Sequence, residues 1–305
     1  MKRRSFLQTS ALVGLAAAFP AGALAQAASG SDQHAGAGKA ASPAKPLTPP
    51  AHGTIPVAFV LSEGAVMIDF AGPWEVFEDA AIPGRDSLFN LYTVAENTQP
   101  VRISGGMRVV PDYSVENAPP PKVIVLPAQQ GKSPAVVDWI RKSSKSTDVT
   151  MSVCTGAFLL AKTGLLSGKS ATTHHSAYGT LAMRYPDIRV VRGARFVEDG
   201  NIASAGGLSS GIDLALRVVE RYFGRDVARD TAYQMEYQGL GWTDPGSNQV
   251  YAQLRKSTDE KPLCPVCNMD IDKATAPKAV YKGTTYYFCS GNCKEIFDEA
   301  PEKWV

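Results

Sequence analysis

VTMSVCTGAFLLAKTG, residues 149–164, opens on five residues in an extended, strand-like pattern, reaches a lone cysteine at 154, and continues as an apolar helical run. In a parallel α/β sheet, ligands bind beyond the carboxyl ends of the strands, which is where Cys154 would stand. A glycine at 156 permits the sharp strand-to-helix turn. Helix N-termini favour negative charge, so the amides of Thr155, Gly156 and Ala157 are expected to face the sulfur and lower its pKa. A small, buried and inert core cysteine fits the same spacing. Both readings stay open on the residues alone.

The surrounding pattern repeats this strand-then-helix alternation. IPVAFVL (55–61) is a continuous apolar run of the kind a buried parallel strand shows. GPWEVFEDA follows, with Pro73 suited to a first helical turn. LFNLYTVA and KVIVLPA read as strands, and SPAVVDWIRKSS as a helix capped by Ser133 with Pro134 at its first position. HSAYGTLAMRYP, SGIDLALRVVERYFG and ARDTAYQMEYQ read as helices, and Asp199-Gly200 inside RFVEDGNIASA as a hairpin turn. The expected architecture is α/β, a parallel sheet covered by helices on both faces.

The chain of 305 residues, with formal net charge +2 and 44% hydrophobic residues, is long enough for one sizeable domain and a small module. Its near-neutral charge points away from nucleic acid, and no stretch after the leader is long and apolar enough to span a membrane. The leader MKRRSFLQTSALVGLAAAFPAGALA has a basic start, an apolar middle and a small-residue end, the plan of a signal peptide over 1–25. Arg3 and Arg4 followed by Ser5-Phe6-Leu7 resemble a twin-arginine signal, so export to the periplasm is expected. Residues 26–53 are rich in Ala, Gly, Pro and Ser and read as a flexible tether. The large domain is expected over 54–242, a turn-rich linker over 243–260, and a second unit over 261–305.

That second unit holds four of the five cysteines. Cys264 and Cys267 are spaced C-x-x-C, and Cys289 and Cys293 C-x-x-x-C, two sulfur pairs that read as a tetrathiolate site. Thiolates select soft ions, zinc or copper. Two disulfides, favoured by an oxidising periplasm, are the alternative. TTYYF reads as a strand and NCKEIFDEAPEKW as a helix, and so short a module needs a metal or a crosslink to hold its core.

Several motifs at once, GAVMIDFAGPWEVF, VIVLPA, SVCTGAFLLAKTGLLSGKSATTHHSAYGTLAMRYP and RFVEDGNIASAGGLSSGIDLAL, resemble the DJ-1/PfpI superfamily over residues 54–240. The nearest branches are the isonitrile hydratase group and the ligand domains of AraC-type regulators. The resemblance implies a flavodoxin-like sandwich (class I glutamine amidotransferase-like), often a homodimer, with no cofactor in the large domain. It places Cys154 at the nucleophile elbow, Asp69 at the carboxylate facing that sulfur and Thr155 at the threonine after the cysteine. His174, following Thr173, matches a Thr-His pair near the pocket. Asp69 could instead cap a helix. An aspartate beside a thiolate would have a raised pKa, which suits a proton shuttle. Ala128-Gln129-Gln130 replace the two glycines that usually follow this strand, leaving backbone amides for an oxyanion but crowding the approach. Histidine is absent after Cys154, and His175 stands where the hydratase branch often has tryptophan. No helix-turn-helix pattern follows the domain.

CPVCNM and YKGTTYYFCSGNCKEIFDEAPEKW likewise resemble the YHS domain, a treble-clef-like metal-binding module. This resemblance implies Cys264, Cys267, Cys289 and Cys293 as ligands, with Met269 a soft neighbour. Two functions follow. One is an exported cysteine-dependent hydratase or hydrolase acting on a small electrophile, with the YHS module as accessory. The other is a periplasmic copper- or zinc-binding or resistance protein whose large domain is a non-catalytic or redox-sensing body.

Overall fold

The computed structural model describes residues 44–131, 133–253 and 256–304. The signal peptide expected over 1–25, and the tether as far as residue 43, lie outside them. In chain order the elements are β1 (Ile55–Val60), α1 (Met67–Asp79), β2 (Phe89–Ala95), β3 (Val101–Arg102), β4 (Arg108–Val109), β5 (Tyr113–Ser114), β6 (Val123–Leu126), α2 (Pro134–Ser143), β7 (Val149–Val153), α3 (Gly156–Lys162), β8 (Ser170–Ala171), α4 (Tyr178–Arg184), β9 (Arg189–Val190), β10 (Phe196–Asp199), β11 (Ile202–Ala205), α5 (Ser210–Phe223), α6 (Arg225–Gln234), β12 (Lys278–Tyr281), β13 (Thr284–Tyr287) and α7 (Gly291–Glu299).

The main sheet runs β10-β11-β7-β6-β1-β2-β5. All its pairings are parallel except β10 with β11, where Asp199 faces Ile202 across the expected hairpin. Its long parallel strands, numbered in chain order, lie 2-1-3-4-5, the flavodoxin-like arrangement. β1 is apolar throughout because both of its faces are covered. Phe59 packs with Phe77 of α1 and Leu214 of α5 on one side, and Val60 packs with Ile140 of α2 and Leu160 of α3 on the other. Ser133 caps α2 as expected, its side chain accepting from the Val136 amide at 3.3 Å.

Four expectations need correction. The helix bearing Pro73 begins at Met67, so Pro73 lies inside it and removes the backbone donor that the Asp69 carbonyl would otherwise receive. Asp69 therefore sits within the first turn of α1 and does not cap it. The end of the tether is docked: the Leu47 amide donates to the Arg221 carbonyl at 2.7 Å, and the Arg221 side chain returns a bond to the Lys45 carbonyl at 3.0 Å. Part of the expected linker is docked too: Asn248 is buried, and the Pro245 carbonyl accepts from the Arg195 amide at 2.7 Å.

The C-terminal module pairs β12 with β13 through Lys282-Gly283, both at positive φ (47° and 78°), as a tight hairpin of twisted strands needs. Val266, Phe288, Ile296 and Phe297 make its small core together with Cys264 and Cys293. The module rests on the large domain: Met183 of α4 joins this core, and a Cβ on Gly179 would stand 3.2 Å from the Trp304 ring. Among the described residues no helix is long and apolar enough to cross a membrane.

Gly156 tests how tightly the elbow is built. A Cβ there would overlap the Leu126 carbonyl oxygen and sit 2.8 Å from that of Pro127, both backbone atoms that cannot swing aside. Gly156→Ala is expected to cost about 3 kcal/mol and to lower the melting temperature of the large body by on the order of 10 °C, read by thermal denaturation.

Candidate active site and metal centre

In a 2-1-3-4-5 sheet the chain leaves strands 1 and 3 in opposite directions, which opens a crevice at their carboxyl ends. Here those strands are β1 and β6. Asp69 follows β1, Ala128 follows β6, and Cys154 follows the neighbouring β7. Cys154 takes φ 58°, a left-handed conformation that a non-glycine residue adopts only when its surroundings impose it. Its amide is tied to the Gly206 carbonyl at 2.8 Å, and the Thr173 hydroxyl donates to its carbonyl at 2.9 Å. These bonds and the absence of a side chain at Gly156 hold the bend.

Asp69 is wholly buried. Its Oδ2 accepts from the Ala128 amide at 3.0 Å, while Oδ1 meets no nitrogen or oxygen donor among the described residues. The Cys154 thiol lies beside this carboxylate and favours its charged form. Burial raises the Asp69 pKa to about 6, against the opposing pull of the Ala128 amide and the thiol. Burial also pushes the Cys154 thiol up to about 12, and the Asp69 charge adds to it. The Thr155 amide, the Leu208 amide and the Thr155 hydroxyl favour the thiolate but do not outweigh burial.

This overturns the expected low thiol pKa. The helix terminus does reach the sulfur, through Thr155, but the Ala157 amide turns to the Cys154 carbonyl, and Cys154 is only 7% exposed beside an acid. Asp69 and Cys154 titrate as a pair: one proton leaves near pH 6, and the second stays bound until near pH 12. Between those limits a carboxylate faces a thiol that it can deprotonate as the sulfur reacts.

The other expected residues fall into different places. Thr155 is at the sulfur with both its amide and its hydroxyl. His174 is not bonded to the cysteine. Its Nδ1 accepts from the Ser176 amide at 3.3 Å, capping the 175–177 turn, and burial drives its pKa down to about 4, so it is neutral at pH 7. Its ring fills the space beside Gly207, where any Cβ would overlap it, and packs at a tilt against His175, which stacks in turn on Tyr251. Thr173, the quieter half of the Thr-His pair, is the one that braces the elbow. The amides after β6 are also spoken for in part: that of Ala128 goes to Asp69 and that of Gln130 to the Glu63 carbonyl at 2.9 Å. Gln129 folds back, its Nε2 on the Val60 carbonyl at 3.0 Å and its Oε1 accepting from Ser62 at 2.6 Å. Sequence reasoning missed Leu208, whose amide meets the sulfur from the loop after β11; its only local signal was the Gly206-Gly207 pair before it.

In the small module the four cysteines converge. Their sulfurs all lie within 4.8 Å of one another, with Cys267 to Cys289 at 3.3 Å and Cys289 to Cys293 at 3.6 Å. No disulfide joins them. A tetrahedral ion at about 2.3 Å from each sulfur spaces its ligands about 3.8 Å apart, so the donor set fits a soft tetrathiolate ion. Two backbone knuckles shape it. In one, Asn268 at φ 62° turns the chain, with its amide on the Cys264 carbonyl at 2.8 Å. In the other, Ser290 caps α7 and accepts from the Cys293 amide at 3.3 Å. Hydrogen bonds from the Cys267 and Cys293 thiols hold Cys264 far below the usual thiol range, so it meets an incoming cation as a thiolate. Met269 contributes backbone, its carbonyl accepting from the Cys264 amide at 2.8 Å, while its side chain is exposed.

Comparison with known proteins agrees with this division. The model of the DJ-1/PfpI family matches residues 56–221, and that of the YHS domain matches 264–305. An isonitrile hydratase of Pseudomonas putida is 32% identical over 201 residues, covering 63% of this chain and 82% of the relative. An HTH-type transcriptional regulator, CdhR, of Pseudomonas aeruginosa is 29% identical over 151 residues, covering 48% of this chain and 45% of the regulator. A ThiJ/PfpI family protein from Pseudomonas syringae has a similar fold, with TM-score 0.55 and 24% identity, covering 61% of this chain and 76% of that one.

Proposed function

The chain belongs to the DJ-1/PfpI family and carries a YHS domain, and on that premise we propose that it is an exported, cysteine-dependent hydratase acting on a small electrophilic carbon. The hydratase relative makes the isonitrile group the substrate class to try first. One observation carries this reading: the buried Asp69 carboxylate faces the Cys154 thiol at a strained elbow, and burial raises its pKa to about 6. Structural cysteines need neither the strain nor the acid.

The chemistry balances as follows. The Cys154 sulfur forms a bond to the isonitrile carbon as Asp69 takes the thiol proton and passes it to that carbon, leaving a thioimidate. Water then adds to the same carbon. The carbon–sulfur bond breaks, the sulfur recovers a proton through Asp69, and the nitrogen keeps the other, giving an N-substituted formamide. The Thr155 and Leu208 amides and the Thr155 hydroxyl stabilise negative charge as it develops on the sulfur.

In the YHS domain, Cys264, Cys267, Cys289 and Cys293 would hold zinc or copper(I). Bound there, the ion supplies a crosslink between the two knuckles, with all four protein ligands used.

The test is formamide production from a small alkyl isonitrile between pH 4 and 9. The rate is expected to rise through about pH 6, as the Asp69 carboxyl loses its proton and becomes able to accept the thiol's, and then to stay level. A second reading rests on the occupied Ala128 amide and the Gln129 side chain folded in after β6, which crowd the substrate's approach. It makes the large domain a ligand- or redox-sensing body of a metal-handling protein. The absence of turnover at every pH, with metal bound in the YHS domain, decides for it.

A further inference from the structure

Residues 241–252 lie between the two matched domains, yet they are built into the wall of the Cys154 site. The loop 206–210 touches the cysteine twice: the Gly206 carbonyl accepts from the Cys154 amide, and the Leu208 amide meets the sulfur. Leu208 holds φ 44°, a strained conformation that the loop would relax if its ends were free. Asn248 ties the Ser210 end of the loop to Arg195, which holds the other end. Its Oδ1 accepts from Arg195 at 3.2 Å, and its Nδ2 donates to the Ser210 hydroxyl at 3.3 Å. Arg195 in turn accepts from the Gly206 amide through its carbonyl at 2.9 Å, and its guanidinium donates to the Ser209 hydroxyl at 3.1 Å. The buried Asp213 anchors that guanidinium at 2.6 Å and also accepts from Tyr237 at 2.9 Å. Gly206 has no room for a side chain because the Asn248 amide nitrogen would stand 2.8 Å from a Cβ there. The Pro245 carbonyl, receiving the Arg195 amide at 2.7 Å, fixes the strap to the same residue.

We propose that Asn248 is a positioning residue for the Cys154 site, locking the 206–210 loop so that the Leu208 amide stays on the sulfur. Asn248 acts through the loop, and the strap between the domains thereby completes the pocket that supports the sulfur anion. This rests on Cys154 being the reacting sulfur, and the experiment reads that thiol directly, so that a lack of hydratase turnover and a failure of Asn248 are told apart.

Full-length, metal-loaded protein is treated with iodoacetamide between pH 5 and 9, and Cys154 alkylation is followed by mass spectrometry. In the wild type the rate rises through about pH 6 to a plateau. In Asn248→Ala the plateau falls about tenfold while the rise stays near pH 6, the loss expected when one hydrogen bond to a charged group is removed. Ser210→Ala, which cuts the same tie from its other end, lowers the plateau about threefold and keeps the question answerable if Asn248→Ala folds poorly. Gln249→Ala removes the neighbouring strap contact to the Gly193 carbonyl and leaves the plateau unchanged. An unchanged or higher plateau in Asn248→Ala, or an equal fall in Gln249→Ala, overturns the proposal. So does a wild-type thiol with no plateau, since no supported sulfur would then exist to position.

Discussion

Asp69→Asn is expected to lower turnover by about 10²- to 10⁴-fold, the usual contribution of a positioned acid–base group, and to stabilise the protein at the same time. The amide oxygen can still accept from Ala128, so the shape of the site survives, but nothing remains to take the thiol proton. The stability gain follows from the direction of the shift. The Asp69 pKa is raised from 3.8 to about 6 in the folded chain, so below pH 3.8 its contribution to stability is fully present, and it is lost as pH rises through about 6. At pH 7 the wild type buries a charge that the unfolded chain would solvate, a cost on the order of 1–3 kcal/mol. Denaturant melts should therefore show the variant more stable than wild type at pH 7, with the gap closing below about pH 4. A variant of normal turnover, or one less stable than wild type at pH 7, removes Asp69 from the role given to it here.

Cys289→Ser is expected to cost the YHS domain both its metal and its fold. Apparent binding free energies of structural zinc in small domains are about 10–16 kcal/mol, far more than a core of four apolar side chains and two cysteines supplies. Elemental analysis should find about one metal per wild-type chain and well under a tenth of that in the variant. Limited proteolysis should then cut within 256–304 while the body bearing Cys154 resists. A chelator acting on the wild type should give the same pattern. The module's packing on the large domain adds one consequence. With Trp304 against Gly179, and Met183 of α4 packed against the module's core, the two parts share packing, so loss of the metal should also loosen α4. A metal-free protein whose module is untouched by chelator and loosened by reductant would instead establish disulfides.

Much of the large domain was legible because its signals are local. The unbroken apolar run Ile55–Val60 states that both faces of a strand are covered, and Ser133-Pro134 states where a helix starts. The four cysteines of the module were legible for the same reason, since knuckle spacing is a property of a few consecutive residues. Pro73 misled because a proline nearly two turns inside a helix looks, locally, like one at its start; only the packing of α1 on α5, where Gly72 meets Ile212, shows the helix continuing through it. The turn-rich stretch from 243 looked like a linker because polar side chains such as Asn248 give no sign in sequence of the partners that will bury them.

The sequence by itself determined the strand–helix alternation, the elbow at Cys154 and the two thiol pairs, all of which depend on neighbours along the chain, while Asp69 was a candidate only through the family resemblance. The tertiary structure alone decided the charge state of the site. Whether the sulfur is a thiol or a thiolate depends on how deeply Cys154 is buried and on which groups face it across the sheet ends: Asp69 after β1, Ala128 after β6 and Leu208 after β11. Desolvation and electrostatic energy are set by distance in space, and these residues are brought together only when the strands pair.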